Sequence, residues 1–171
     1  MARNTNYKMQ IDAESKDIFY NTMMAVAGNQ IKRFEFASDI YSVWDAKITT
    51  INNLELYIEL KYRRFEYNKY PDTLLDKSKY DRLLDFTRKY GKANIGKNNL
   101  RGVCCLFVPM YRDRLYLFDL SKEKPIIDTR IAPVTTDFND NRMIEKEVCL
   151  FDFKNGKEIL YGNIWYKKRI I

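Results

Sequence analysis

Tyr57-Ile58-Glu59-Leu60-Lys61-Tyr62 is the stretch on which the reading of this chain turns. On an extended strand successive side chains point to opposite faces, so Glu59 and Lys61 share one face and Ile58, Leu60 and Tyr62 the other. An acid and an amine are thus displayed together over an apolar back. Upstream, Tyr41 to Thr50 is also rich in β-branched and aromatic residues, and Ile51-Asn52-Asn53 lies between the two stretches as a hairpin turn. Loop parity then matters. A three-residue loop centred on Asn52 makes Asp45 and Glu59, each seven residues from the centre, direct cross-strand partners, with Cβ atoms about 5 Å apart. A two-residue loop sends them to opposite faces. The two acids meet only across an odd loop or a compensating bulge.

Outward from this hairpin, Asp12 to about Ala27 reads as a first helix, with Ile18 or Phe19, Met23, Val26 and Ala27 at helical spacing and Gly28-Asn29 as its stop. Gln30 to Ala37 fits either a continuation of the helix or an extended segment. Asp72 to Tyr90 reads as a second helix, capped by Asp72 or Thr73, apolar along Tyr80, Leu83, Leu84, Thr87 and Tyr90, and ended by Gly91. Val103 to Val108 is apolar throughout, the mark of a central strand covered on both faces, and Leu115 to Leu120 reads as another strand. Pro125, Pro133 and the polar run from Thr135 to Arg142 read as loop. Glu147 to Phe153 and Glu158 to Trp165 read as two strands hairpinned at Asn155-Gly156.

Composition removes several classes of chemistry. The 171 residues contain no histidine, which excludes Ser-His and Cys-His nucleophiles, histidine-ligated zinc hydrolases and His-Asn-His metal nucleases. Cys104, Cys105 and Cys149 fit no zinc spacing and read as buried, reduced thiols. The chain has 46% hydrophobic residues, enough for a core, and no apolar run approaches the roughly 20 residues that span a bilayer. No membrane association and a cytoplasmic location are the expectations. The formal charge is +7, with Lys61, Arg63, Arg64 and Lys69 near the hairpin and Lys92, Lys97 and Arg101 around a Gly- and Asn-rich loop. Such clusters suit neutralisation of a phosphate backbone.

Asp45…Glu59-Leu60-Lys61 resembles the D…(D/E)-x-K signature of the PD-(D/E)XK, or restriction-endonuclease-like, nucleases. The motif covers residues 45–61 and the likeness of its flanks extends loosely over residues 12–120. Trp44 stands where the name-giving proline would be. The resemblance implies an α/β fold: a mixed central β-sheet flanked by helices, with an αβββαβ core and extra C-terminal strands. It is read as a single domain over residues 1–171, with the core at about 12–120 and a β extension at about 121–171.

The resemblance also implies a site. Asp45, Glu59 and Lys61 are the expected catalytic residues. Asp45, Glu59 and the backbone carbonyl of Leu60 are the expected metal ligands, with Glu14 on the first helix as a further candidate. Mg²⁺, which takes hard oxygen ligands, is the expected cofactor, and Mn²⁺ a substitute. Lys61 would orient or deprotonate the attacking water and offset growing negative charge. Arg63, which shares the face of Lys61, together with Arg64, Lys79, Lys97 and Arg101, are candidate nucleic-acid contacts.

The activity expected is metal-dependent hydrolysis of nucleic acid, DNA before RNA, by a DNA endonuclease. The alternative is an inactive nucleic-acid-binding or assembly protein on the same fold. A homodimer suits an enzyme that cuts two strands. The compact single-domain form suits a phage or mobile-element nuclease working in the host cytoplasm.

Overall fold

The computed structural model describes residues 2–39, 42–63, 65–94, 102–134 and 142–161. Its organising unit is the hairpin of β2 (Ala46–Thr50) and β3 (Glu55–Tyr62), antiparallel with Ala46 opposite Ile58 and Thr49 opposite Glu55. The loop has three residues. Thr50 N–H donates to Leu54 O at 2.9 Å, Asn53 N–H donates to Thr50 O at 2.9 Å, and Leu54 N–H donates to Thr50 Oγ1 at 3.0 Å. Asn53 takes a left-handed backbone, φ 60°, which asparagine tolerates better than most residues.

On its other side β3 pairs in parallel with β5 (Val103–Met110), placing Glu59 beside Phe107 and Lys61 beside Pro109. With β1 (Ile31–Phe36), β6 (Arg114–Asp119) and β9 (Lys157–Leu160), the order of this six-stranded mixed sheet is β1-β2-β3-β5-β6-β9. Helix α1 (Ala2–Ala27) covers one face, where Phe19 and Met23 pack with Ile48, Ile58, Val108, Met110 and Leu115. Helix α2 (Lys77–Asn94) and a second sheet cover the other, where Leu83, Cys149 and Phe151 pack with Tyr57, Cys105, Phe107 and Phe118. Alternate residues of β5 are thus buried on opposite sides, which explains its unbroken apolar sequence. The fold is mixed α/β, with a mixed central sheet flanked by helices.

The second sheet has the order β4-β8-β7, from β4 (Asp72–Asp76), β8 (Met143–Asp152) and β7 (Ile126–Pro133). Residues 72–76 were expected to begin a helix and instead form a strand. Thr73 and Leu75 are buried in alternation and lie opposite Phe151 and Cys149 of β8, so a distant partner sets the conformation. Helix α2 therefore starts at Lys77, and it runs through Gly91 instead of stopping there. The segment around Pro125 and Pro133 is likewise strand where loop was expected. The ambiguous segment after α1 is β1, paired with β2.

The hairpin expected at Asn155-Gly156 does not form. Strand β8 belongs to the second sheet and β9 pairs with β6 in the first, joined by a 3₁₀ turn at Phe153–Asn155. The glycine is needed for close approach: a Cβ there would lie 2.7 Å from Phe118 Cζ, and Phe118 is fully buried. Gly156→Ala is therefore expected to destabilise the protein by about 1–3 kcal/mol, read as a lower midpoint of urea unfolding. The three cysteines are free thiols, Cys105 and Cys149 buried and Cys104 half-buried.

Candidate active site

Asp45 immediately precedes β2, and its backbone and side chain together lock it against β3. Its N–H donates to Ile58 O at 2.8 Å and its carbonyl accepts from Ala37 N–H at 2.9 Å. Its Oδ2 accepts the N–H of Leu60 at 2.8 Å. The side chain thereby takes a position in the strand ladder that a backbone carbonyl usually fills. The β2–β3 pairing ends at Ala46 opposite Ile58, and Asp45 N–H reaches the same Ile58 carbonyl, so the ladder is irregular at this point. The Asp45 carboxylate nevertheless lies close enough to Glu59 to act on its acidity.

Glu59 is buried, 8% exposed, on the face of β3 that α2 covers. The Lys79 ammonium, on the first turns of α2, lies 2.8 Å from Glu59 Oε2. The contact lacks hydrogen-bond geometry, and among the described residues no donor satisfies that buried oxygen. Burial is the largest influence on its acidity and the negative charge of Asp45 the next, only partly opposed by Lys79, so the Glu59 carboxyl is pushed up to about 8. Two acids this close resist simultaneous ionisation.

Lys61 follows on the same face of β3. Burial pushes its amine down and the nearby Arg63 guanidinium adds to the effect, while Glu59, Asp76 and Asp45 pull it back. Its neutral form is therefore closer to hand than that of an exposed lysine. Asp76 was missed by sequence reasoning, since it sat inside the expected helix. As the last residue of β4 it faces this cluster, and Lys146 Nζ approaches it at 3.4 Å.

The remaining sequence-derived candidates divide. Glu14 is exposed on α1, whose buried side packs the face of the sheet opposite to that of Glu59. Among the described residues no three acidic or thiol groups converge on a common point. Lys79 is turned inward onto Glu59 instead of outward to a nucleic acid, because the start of α2 lies over β3. Arg63 is likewise committed to structure: its Nη2 donates to Leu74 O at 2.9 Å, tying the end of β3 to β4. Arg64, Lys97 and Arg101 lie outside the described residues.

The donor set fits a divalent cation. Two carboxylates meet, one of them buried with an unsatisfied oxygen, and hard oxygen ligands of this kind suit Mg²⁺ or Mn²⁺. Asp45 and Glu59 would hold the ion, and the peptide of Leu60 is fixed at the same point by its N–H bond to Asp45.

This mixed α/β architecture is shared with a solved structure. No protein-family model matches the chain and no curated protein matches it in sequence. Among solved structures it is similar to Hjc of Archaeoglobus fulgidus, a Holliday junction resolvase from an archaeal hyperthermophile. The TM-score is 0.50 at 13% sequence identity, over 85% of this chain and 92% of that one.

Proposed function

We propose that the protein is a divalent-metal-dependent nuclease that hydrolyses phosphodiester bonds in DNA, with Asp45, Glu59 and Lys61 as its catalytic residues. The observation that carries this reading is a buried glutamate held against a second carboxylate, with a desolvated lysine two residues away on the same face. Stability alone gives no reason for such a grouping, because burying like charges together is costly. The resolvase to which the fold is similar supports DNA as the substrate.

A bound Mg²⁺ would lower the pKa of a water and offset charge on the phosphoryl oxygens. The chain's own residues do the rest. The Leu60 N–H fixes the Asp45 carboxylate so that it need not reorganise as charge develops. Lys61 holds the attacking water and takes its proton at Nζ when neutral, or meets the developing negative charge when protonated. Lys79, 2.8 Å from Glu59 Oε2, would offset the charge of Glu59 when that carboxyl ionises. Arg64, Lys97 and Arg101 are the proposed contacts to the nucleic-acid backbone.

Incubating the protein with supercoiled, linear and four-way-junction DNA, in Mg²⁺, Mn²⁺ or EDTA, tests the proposal. Cutting in either metal and none in EDTA is the expected result. Salt-sensitive binding without cutting would identify instead a non-catalytic DNA-binding protein, and neither binding nor cutting would overturn both readings.

A further inference from the structure

Strand β7 is the outer strand of the second sheet, and among the described residues no strand pairs with its free side, where Thr129 N–H is held by Asp128 Oδ1 at 2.8 Å. It is also apolar where it is most open: Ile126 is 70% and Ile131 72% exposed, with Ile127, Met143 and Ile144 exposed nearby. A long unpaired edge carrying exposed isoleucines is a template for another strand.

The sequence of that edge names its partner. Residues 125–133 read Pro-Ile-Ile-Asp-Thr-Arg-Ile-Ala-Pro and complement their own reversal about Thr129. In an antiparallel pair centred there, Asp128 faces the second copy's Arg130 and Ile127 faces its Ile131. The reciprocal contacts follow by symmetry, and the two Thr129 residues meet on the axis. Pro125 and Pro133 oppose each other at both ends, where the missing N–H groups close the pairing. In one chain Asp128 and Arg130 already share a face and form an ion pair at 2.6 Å, both still largely open to solvent. Pairing adds an opposite charge across from each of them. A foreign strand has no need of this reflection, whereas a two-fold interface requires it.

We infer that β7 is a homodimerisation strand, pairing antiparallel with β7 of a second copy about Thr129, so that two three-stranded sheets join as β4-β8-β7-β7-β8-β4. The inference does not depend on the nuclease reading, although a two-fold axis would relate two Asp45–Glu59 sites to two strands of a substrate.

Sedimentation equilibrium of the full chain is expected to show a reversible doubling of mass from micromolar to sub-millimolar concentration. Asp128→Arg sets arginine against arginine across the axis, and Arg130→Asp sets aspartate against aspartate, so each variant alone is expected to be a monomer. Mixed in equal amounts they are expected to form a heterodimer, because each now supplies the charges that the other lacks. That rescue could not come from damage to either fold. Thr129→Cys is expected to give a disulfide-linked dimer on mild oxidation, since directly opposed strand residues lie within disulfide range. A wild-type monomer at every concentration, with no cross-link through Cys at position 129, would overturn the inference. So would a dimer indifferent to both charge reversals, or a mixture of the two variants that stays monomeric.

Discussion

Lys61→Ala is expected to slow DNA cleavage by about a thousandfold without weakening the fold, the size of effect that follows loss of one group acting on developing charge. The asymmetry follows from where the amine sits. Its position on β3 takes it largely out of water, and its acidity is shifted against the charged form. Holding that charge costs folding energy, so removing it relieves a penalty while taking away the group proposed to meet the water and the phosphate. Lys61→Met, which keeps the aliphatic stem in place, is expected to match or exceed the wild type in stability and to be as inactive as the alanine variant. Single-turnover cleavage and urea unfolding of the same preparations check both halves. Cleavage within an order of magnitude of wild type, or a loss of stability parallel to the loss of activity, would assign Lys61 to the fold instead.

The second large effect concerns Glu59 and has a definite sign. Its folded-state pKa is raised from 4.5 to about 8, so between these values the folded protein binds a proton that the unfolded chain has released. Stability supplied by the neutral carboxyl is complete below about pH 4.5 and declines as pH rises to about 8. A shift of this size corresponds to about 3–5 kcal/mol. Glu59→Gln, which keeps the shape and loses the charge, is expected to be inactive yet more stable than wild type at pH 8, with the difference closing toward pH 4.5. The difference between the two proteins isolates this group from all others that titrate in the window. Millimolar Mg²⁺ is expected to restore wild-type stability at the alkaline end by binding the folded state alone, and Asp45→Ala to abolish that restoration. Thermal unfolding across pH, with and without the ion, reads both effects. Parallel pH profiles for wild type and Glu59→Gln would show that Glu59 ionises normally in the fold.

The part of the site that local geometry controls was legible in the sequence. Strand alternation has period two and a loop contains a whole number of residues, so the three-residue turn about Asn52 and the face shared by Glu59 and Lys61 could be read directly. The expected strand from Tyr41 was too long: β2 begins at Ala46, and Asp45 approaches Glu59 from just before it. The unbroken apolar run of β5 marked the sheet's centre for the same elementary reason. What escaped was decided at long range. Asp72 and Thr73 are good helix caps, and only pairing with Asp152 and Phe151 of β8, far along the chain, makes them strand. Asn155-Gly156 is a strong turn signal, but its flanking strands join different sheets. Lys79 looked like a surface cation because nothing in its neighbours records that α2 begins over Glu59. Prolines at 125 and 133 argued against a strand, yet they stand just outside and at the last position of one, where a missing donor is tolerated.

The parallel pairing of β3 with β5 sets an order of events during synthesis. The β2–β3 hairpin closes over a three-residue loop and needs nothing beyond residue 62, whereas Glu59 and its neighbour Phe107 are 48 positions apart. Distant contacts of this kind form late, because a long intervening chain must first be ordered. While the nascent chain emerges from the ribosome, Glu59 therefore stays open to water, because the strand beside it is not yet in place. The burial of Glu59 beside β5 and against Lys79 of α2 is completed only with the tertiary structure, so any activity proposed for this pair has to wait for the finished fold.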